Sequence, residues 1–244
     1  NQVAGLASDY AYTAPVIAGV AGTVTARTLV ATAPTIAGAS SRAYDGLVAA
    51  PGATLAGGSV SGFVGADSGS LDTSGIGLAY NSAHVTTATT IAASGAVGLS
   101  FTGTANGTGS GVGAGNQVAG LASDYAYTAP TVAGVAGTIT AKALAATAPT
   151  IGGTTKTYDG LLAASGSALV GGSVTGFVGA DSGSLDTSGV GLAYNGAHVT
   201  TATTITASGA VALSFTGTAN GTGSGTSAGN QVAGLATDYA YTCL

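Results

Sequence analysis

The 244-residue chain carries four Lys and Arg, nine Asp, no Glu and a formal charge of −5. Charged residues make up 5% of it, against about 25% in an average soluble domain, so no cationic track is present to neutralise a nucleic-acid backbone. An apolar fraction of 45%, mainly Ala, Val and Leu, separates it from disordered chains, and a single cysteine excludes an intrachain disulfide framework and a cysteine-based zinc site.

The chain opens on NQVAGLASDYAYTAP at Asn1. Alternation in DYAYT puts Tyr10 and Tyr12 on one side of a strand. The β-branched run GTVTA (22–26) marks a seam, after which a first strand runs toward Pro34. Next comes RAYDGLVAA (42–50), where Asp45-Gly46 signals a turn, and then the turn GADSGS (65–70). TTATTI (86–91) is a further β-branched run, and Val97, Leu99 and Phe101 share one face of a strand. The Gly-rich ANGTGSG (105–111) leads into the second copy of the opening phrase at Asn116, with Tyr125 and Tyr127 at the strand positions. A second seam, GTITAK, ends at Lys142, and the order repeats through Asp159-Gly160, Val211/Leu213/Phe215 and a third copy of the phrase at Asn230, with Tyr239 and Tyr241. No window sustains a helical apolar stripe, so every predicted element is a strand or a turn.

Self-similarity organises the chain. Residues 46–115 align without a gap to 160–229, with 58 of 70 positions identical. The unit of about 114 residues has the size of a whole domain. The phase implies closing strands of a preceding module (1–26), repeat module 1 (27–141), and repeat module 2 (142–244) lacking its last strand. The expected fold is all-β: tandem antiparallel β-sandwich (Ig-like) modules arranged end to end. The alternative is a β-solenoid, whose coils would show an internal period of about 20 residues. No stretch has the roughly 18 consecutive apolar residues of a membrane helix, so no membrane insertion is expected from this segment. Targeting information is expected outside it, since no initiating Met or signal pattern is present.

RAYDGLVAA and KTYDGLLAA (156–164), with GLASDYAYTAP followed by AGTITAKAL (136–144) as the closing part of a unit, resemble the YDG repeats of filamentous-haemagglutinin-like bacterial adhesins. The two units are longer than the usual member, and the acidic mid-unit turn is reduced to Gly-Ala-Asp at Asp67 and Asp181. The resemblance implies the repeat stalk of a secreted, extracellular adhesin at the bacterial cell surface, exported by two-partner secretion. Such stalks serve cell–cell or cell-surface attachment and biofilm matrix cohesion. The alternative function is a subunit of a self-assembling extracellular filament, in which one chain's N-terminal strands complete the next chain's last module. Expected partners are neighbouring copies of the repeat, in cis or in trans, with surface glycan or matrix polysaccharide as a further class.

Candidate sites were weighed against structural roles. In Tyr44-Asp45-Gly46 and Tyr158-Asp159-Gly160 the Tyr anchors a strand end, the Asp caps its own turn and the Gly supplies positive φ. Asp67 with Asp72, and Asp181 with Asp186, are weak calcium candidates: they lack the oxygen-ligand order of a calcium loop, and a solvated turn is the favoured reading. His84 and His198 have no visible companion ligands or nucleophile, and no catalytic motif is present, so no enzyme and no required cofactor are expected. Asn106 and Asn220 fit a glycosylation acceptor, with a turn favoured. The paired tyrosines suit packing against the next element. Cys243, the lone thiol, is the candidate for an intermolecular disulfide.

Overall fold

In a computed structural model, residues 1–242 are described; Cys243, the candidate for a disulfide between chains, lies outside the described residues. The protein is all-β. Its strands, two to five residues long, form ten two-stranded sheets and one three-stranded sheet among the described residues, and close no barrel. Between them run glycine-rich turns, and three single-turn 3-10 helices fall at Ala7–Asp9, Ala122–Asp124 and Ala236–Asp238.

Five pairings occur in both repeats. In the first, Val30–Thr32 pairs with Ser59–Ser61, Thr35–Gly38 with Ala53–Ala56, Ser68–Asp72 with Gly98–Thr102, and Gly77–Tyr80 with Thr90–Ser94, all antiparallel. The fifth pair is parallel and joins the seam strand Arg27–Thr28 to the closing strand Tyr125–Ala126. The second repeat repeats the set, with Lys142–Ala143 parallel to Tyr239–Ala240. Wholly antiparallel pairing therefore fails at the seam. First and last strands of a repeat run the same way, because the intervening chain acts as one long crossover.

Two further pairings occur once. Val135–Ala136 adds antiparallel to Thr90–Ser94, with Val135 opposite Ile91, and Thr138–Thr140 adds parallel to Ser41–Ala43. The chain leaving the first repeat thus turns back across it before entering the second. Its Ile139 is 3% exposed, and Gly137 passes against the Ile91 side chain and the Tyr80 ring. In the second repeat the matching stretch 155–157 is not a strand. Upstream, the matching residues 16–26 hold no strand either, and Val24, the counterpart of Ile139, is fully solvent-exposed at 102%. A two-stranded β element this short cannot bury its own faces in water. The same sequence is accordingly a covered strand where its partner lies alongside and an open loop where it does not.

The buried cluster crosses from one repeat to the other. Ile36, Tyr44, Tyr80, Ile91 and Ile139 from the first join Leu144, Val174 and Tyr239 of the second. Most other positions are Ala, Gly, Ser or Thr, so these few large side chains supply most of the apolar burial, at about 1.5–3 kcal/mol each.

Ile139→Ala is expected to lower stability by about 2–5 kcal/mol. Val24→Ala, at the matching position of the uncovered segment, should change a dilute sample by no more than about 0.5 kcal/mol. Denaturant titration of both variants checks the pair.

Candidate functional site: the joint between repeats

In each repeat the closing strand is held by one aspartate. Asp181 Oδ1 accepts hydrogen bonds from the Thr218 and Gly234 amides at 2.8 and 2.9 Å, and Oδ2 accepts one from the Tyr239 hydroxyl at 2.6 Å. That hydroxyl also accepts the Val178 amide at 3.0 Å. Asp67 does the same for Thr104, Gly120 and Tyr125. Gly234 and Gly120 come so close that a Cβ there would overlap the aspartate oxygen, which is why the phrase NQVAGL needs its glycine. The tyrosine ring then packs on two phenylalanines, Phe63 and Phe101 in one repeat, Phe177 and Phe215 in the other, at 5.3–5.4 Å between ring centres.

At Asp67 these bonds favour the charged carboxylate, and at Tyr125 and Tyr239 burial and the bond to the aspartate favour the neutral phenol. The Tyr125 hydroxyl, followed by the Thr104 amide, lowers the Asp67 pKa, and burial with the Asp181 bond raises that of Tyr239. The calcium candidates are thus engaged with their own chain. Asp181 is buried and not on a solvated turn, whereas Asp72 and Asp186 cap their turns through the Ser74 and Ser188 amides, each at 2.9 Å. Those amides lower both pKa values. Among the described residues no group of three or more His, Cys, Asp or Glu is arranged to hold a metal ion.

The Tyr-Asp-Gly turns are built as their residue types require. Asp45 Oδ1 accepts the Leu47 amide at 2.9 Å and Gly46 takes φ 74°; Asp159 and Gly160 repeat this at 3.0 Å and 76°. A cation two residues before the Tyr braces each turn. Arg42 pairs with Asp45, donates to the Leu47 carbonyl and lies 5.3 Å over the Tyr80 ring. Lys156 holds Asp159 at 2.8 Å and lies 5.6 Å over Tyr194, lowering the Asp159 pKa.

What the sequence did not reveal is where the first turn goes. Tyr44 is 1% exposed because it docks into the closing segment of the second repeat, edge-on to Tyr239 at 5.4 Å between ring centres. The Val232 amide donates to Gly46 O at 3.0 Å, Gln231 Nε2 to Asp45 O at 3.0 Å, and the Val48 amide to Gly225 O at 2.8 Å. Beside them Asp238, fully buried, accepts the Val85 amide at 2.8 Å on Oδ1. Its Oδ2 meets His84 Nδ1 at 2.7 Å and the Leu235 amide at 2.9 Å. The His84 ring stacks on Tyr44 at 6.5 Å. Burial, then the charges of Asp181 and Asp238, push the Tyr44 phenol well above its ordinary pKa, so it stays protonated through neutral pH.

The same residues are arranged alike where no neighbour covers them. Asp9 and Asp124 each hold the leucine amide three residues back at 2.8 Å, as Asp238 holds Leu235, yet both are exposed. Tyr158 stacks on His198 at 6.3 Å and is 59% exposed. Asn81 and Asn195 shape the histidine loops identically, each side-chain oxygen accepting two threonine amides at 2.9 and 3.0 Å. Asn106 and Asn220, the glycosylation candidates, each bond their Nδ2 to Gln117 or Gln231 Oε1 at 3.3 Å beside a glycine-led turn. Tyr127 donates to the Val97 carbonyl at 2.9 Å, while Tyr10 and Tyr12 are exposed.

The roles of Asp124, Asp238, Gln117 and Gln231 escape motif reading. The available signal was the persistence of NQVAGL-x-x-DY in all three copies. A comparison with protein-family models, curated proteins and solved structures finds no match to this chain. Among the described residues no helix is long and apolar enough to cross a membrane.

Asp238→Ala removes the acceptor of three groups at a buried joint and should cost about 3 kcal/mol. The matched Asp124→Ala, where only the leucine amide loses its partner, should cost a small fraction of that. Urea unfolding midpoints distinguish the two.

Proposed function

We propose that this chain is a length of the repeat stalk of a secreted bacterial surface adhesin, holding an adhesive tip away from the cell and contributing to attachment or biofilm cohesion. Its role is mechanical and needs no cofactor. The 114-residue units act as Ig-like modules strung end to end, outside the cell. The observation that carries this reading is the joint itself. It is made by a Tyr-Asp-Gly turn and a histidine loop from one repeat and by the NQVAGL-x-x-DY segment of the next, and every repeat holds its own version of both halves.

A contact between opposite faces of like units propagates in one direction. Length then scales with copy number, which is what a stalk needs. The small side chains and scarce charge leave little for recognition of a soluble ligand, and they suit a spacer. The order of the motifs, RAYDG then GLASDYAY then the threonine-rich seam in the first unit and KTYDG then GLATDYAY in the second, supports placing it with the YDG-repeat adhesins.

Small-angle X-ray scattering on this chain and on chains extended by further copies tests the reading. The maximum dimension should rise by a constant increment per copy. A compact particle whose dimension levels off would contradict it, as would failure of an antibody against the repeat to label intact producing cells.

A further inference from the structure

The chain displays both halves of its own joint uncovered, one on each repeat. On the second repeat the Tyr158-Asp159-Gly160 turn stands open beside His198, and Leu161, Leu162 and Val199 are exposed. A groove of about 210 Å³ lies alongside, lined by Thr155, Lys156, Tyr158, Tyr194 and Val199 among others. In the first repeat the counterpart of this face is covered by Val135–Ala136, Thr138–Thr140 and the closing segment of the next repeat. On the first repeat the other half is open: Val112, Val118, Leu121 and Asp124 are all exposed. Residues 14–26, whose counterparts 129–141 supply the covering strands, carry Val16, Ile17, Val20 and Val24 fully in solvent.

We propose that a second copy of this chain occupies these faces, so that chains join head to tail in an open string. The incoming copy's residues 14–26 lie as strands along Thr204–Ile205 and Thr155–Thr157. Its first repeat seats on the Tyr158 turn. The internal joint fixes the register. Moving each pairing by one repeat sets Val20 opposite Ile205, Thr23 opposite Thr155 and Thr25 opposite Thr157. It also sets Asp124 against His198 and the Val199 amide, Gln117 against Asp159 O, and the Val118 amide against Gly160 O.

Three observations favour a copy over any other occupant. Every residue of the turn half matches the internal joint at these contacts (Asp124, Gln117 and Val118 facing His198, Val199, Asp159 and Gly160), and the strand half keeps Val20, Thr23, Thr25 and Ile205 while Val24, Thr155, Lys156, Thr157 and Leu162 stand where the internal joint has Ile139, Ser41, Arg42, Ala43 and Val48. The turn half already has its docked geometry, with the tyrosine–histidine stack and the aspartate cap in place before contact, so the ordering entropy of docking falls on 14–26 and 155–157, which become strands. The two contributions, strand addition and turn docking, are made by consecutive segments of one incoming chain. Because the faces differ, the contact is heterologous and leaves a free half at each end. The proposal rests on the joint's geometry and not on the adhesin reading: a chain that stays single leaves the tandem stalk intact.

Sedimentation velocity of the intact chain over a rising concentration series tests it. Species should grow one chain at a time. Val24→Asp places a charge where a strand must be covered, yet alters a residue that touches nothing in the single chain. It should weaken association by about tenfold or more with an unchanged circular dichroism spectrum, and Asp124→Ala should weaken it as well. Thr25→Cys with Thr157→Cys, in a Cys243→Ser background, should give a ladder of cross-linked chains on a non-reducing gel. A single species at every concentration, association indifferent to Val24→Asp, or a series that stops at a closed dimer would each overturn the proposal.

Discussion

Asp181 accepts two backbone amides and a tyrosine hydroxyl, and the second repeat depends on that clamp, as the first depends on Asp67. The strands here are too short and their side chains too small for hydrophobic contact alone to fix the last strand of a repeat. A carboxylate with three donors around it does so, because charge-assisted bonds in a poorly hydrated site are strong and directional. Once Tyr239 is fixed, its backbone can pair with the seam strand Lys142–Ala143. The 3-10 turn that precedes it presents Asp238 to the neighbouring repeat. Core, seam and joint thus share one short phrase of sequence.

The joint explains the unequal burial of like residues. Tyr44 and Tyr158 are each followed by Asp-Gly-Leu, and each has the matching histidine of its own repeat stacked on it. One is covered and the other is not, because among the described residues only the first has Thr138–Thr140 and the closing segment of another repeat laid over it. A histidine–aspartate contact at such a place is a fastening, with the carboxylate shared by a ring nitrogen and two amides.

Much of the local structure was legible from residue order. Alternation in VGLSFT placed Leu99 and Phe101 on one face of a strand that pairs with Ser68–Asp72, because the two-residue side-chain period is a local property of the backbone. Asp45-Gly46 was readable as a turn for the same reason. The parallel pairing of Arg27–Thr28 with Tyr125–Ala126 was not, since nothing in either dipeptide specifies a partner nearly a hundred residues away. Nor was the burial of Asp238. The identical phrase at Asp9 and Asp124 stays exposed, so burial there is decided by what lies opposite and not by the phrase itself. The readings of Asp67 and Asp181 as solvated turns missed the donors that converge on each from two separate segments.

The central claim is that a repeat is completed by the chain that follows it. Hydrogen–deuterium exchange on dilute, single chains measures this most directly, because 41–44 and 155–158 are matched segments with different cover. The account predicts slow exchange at Tyr44, whose amide donates to Thr140 O in the strand alongside, and fast exchange at its counterpart Tyr158. Equal protection of the two segments would contradict it.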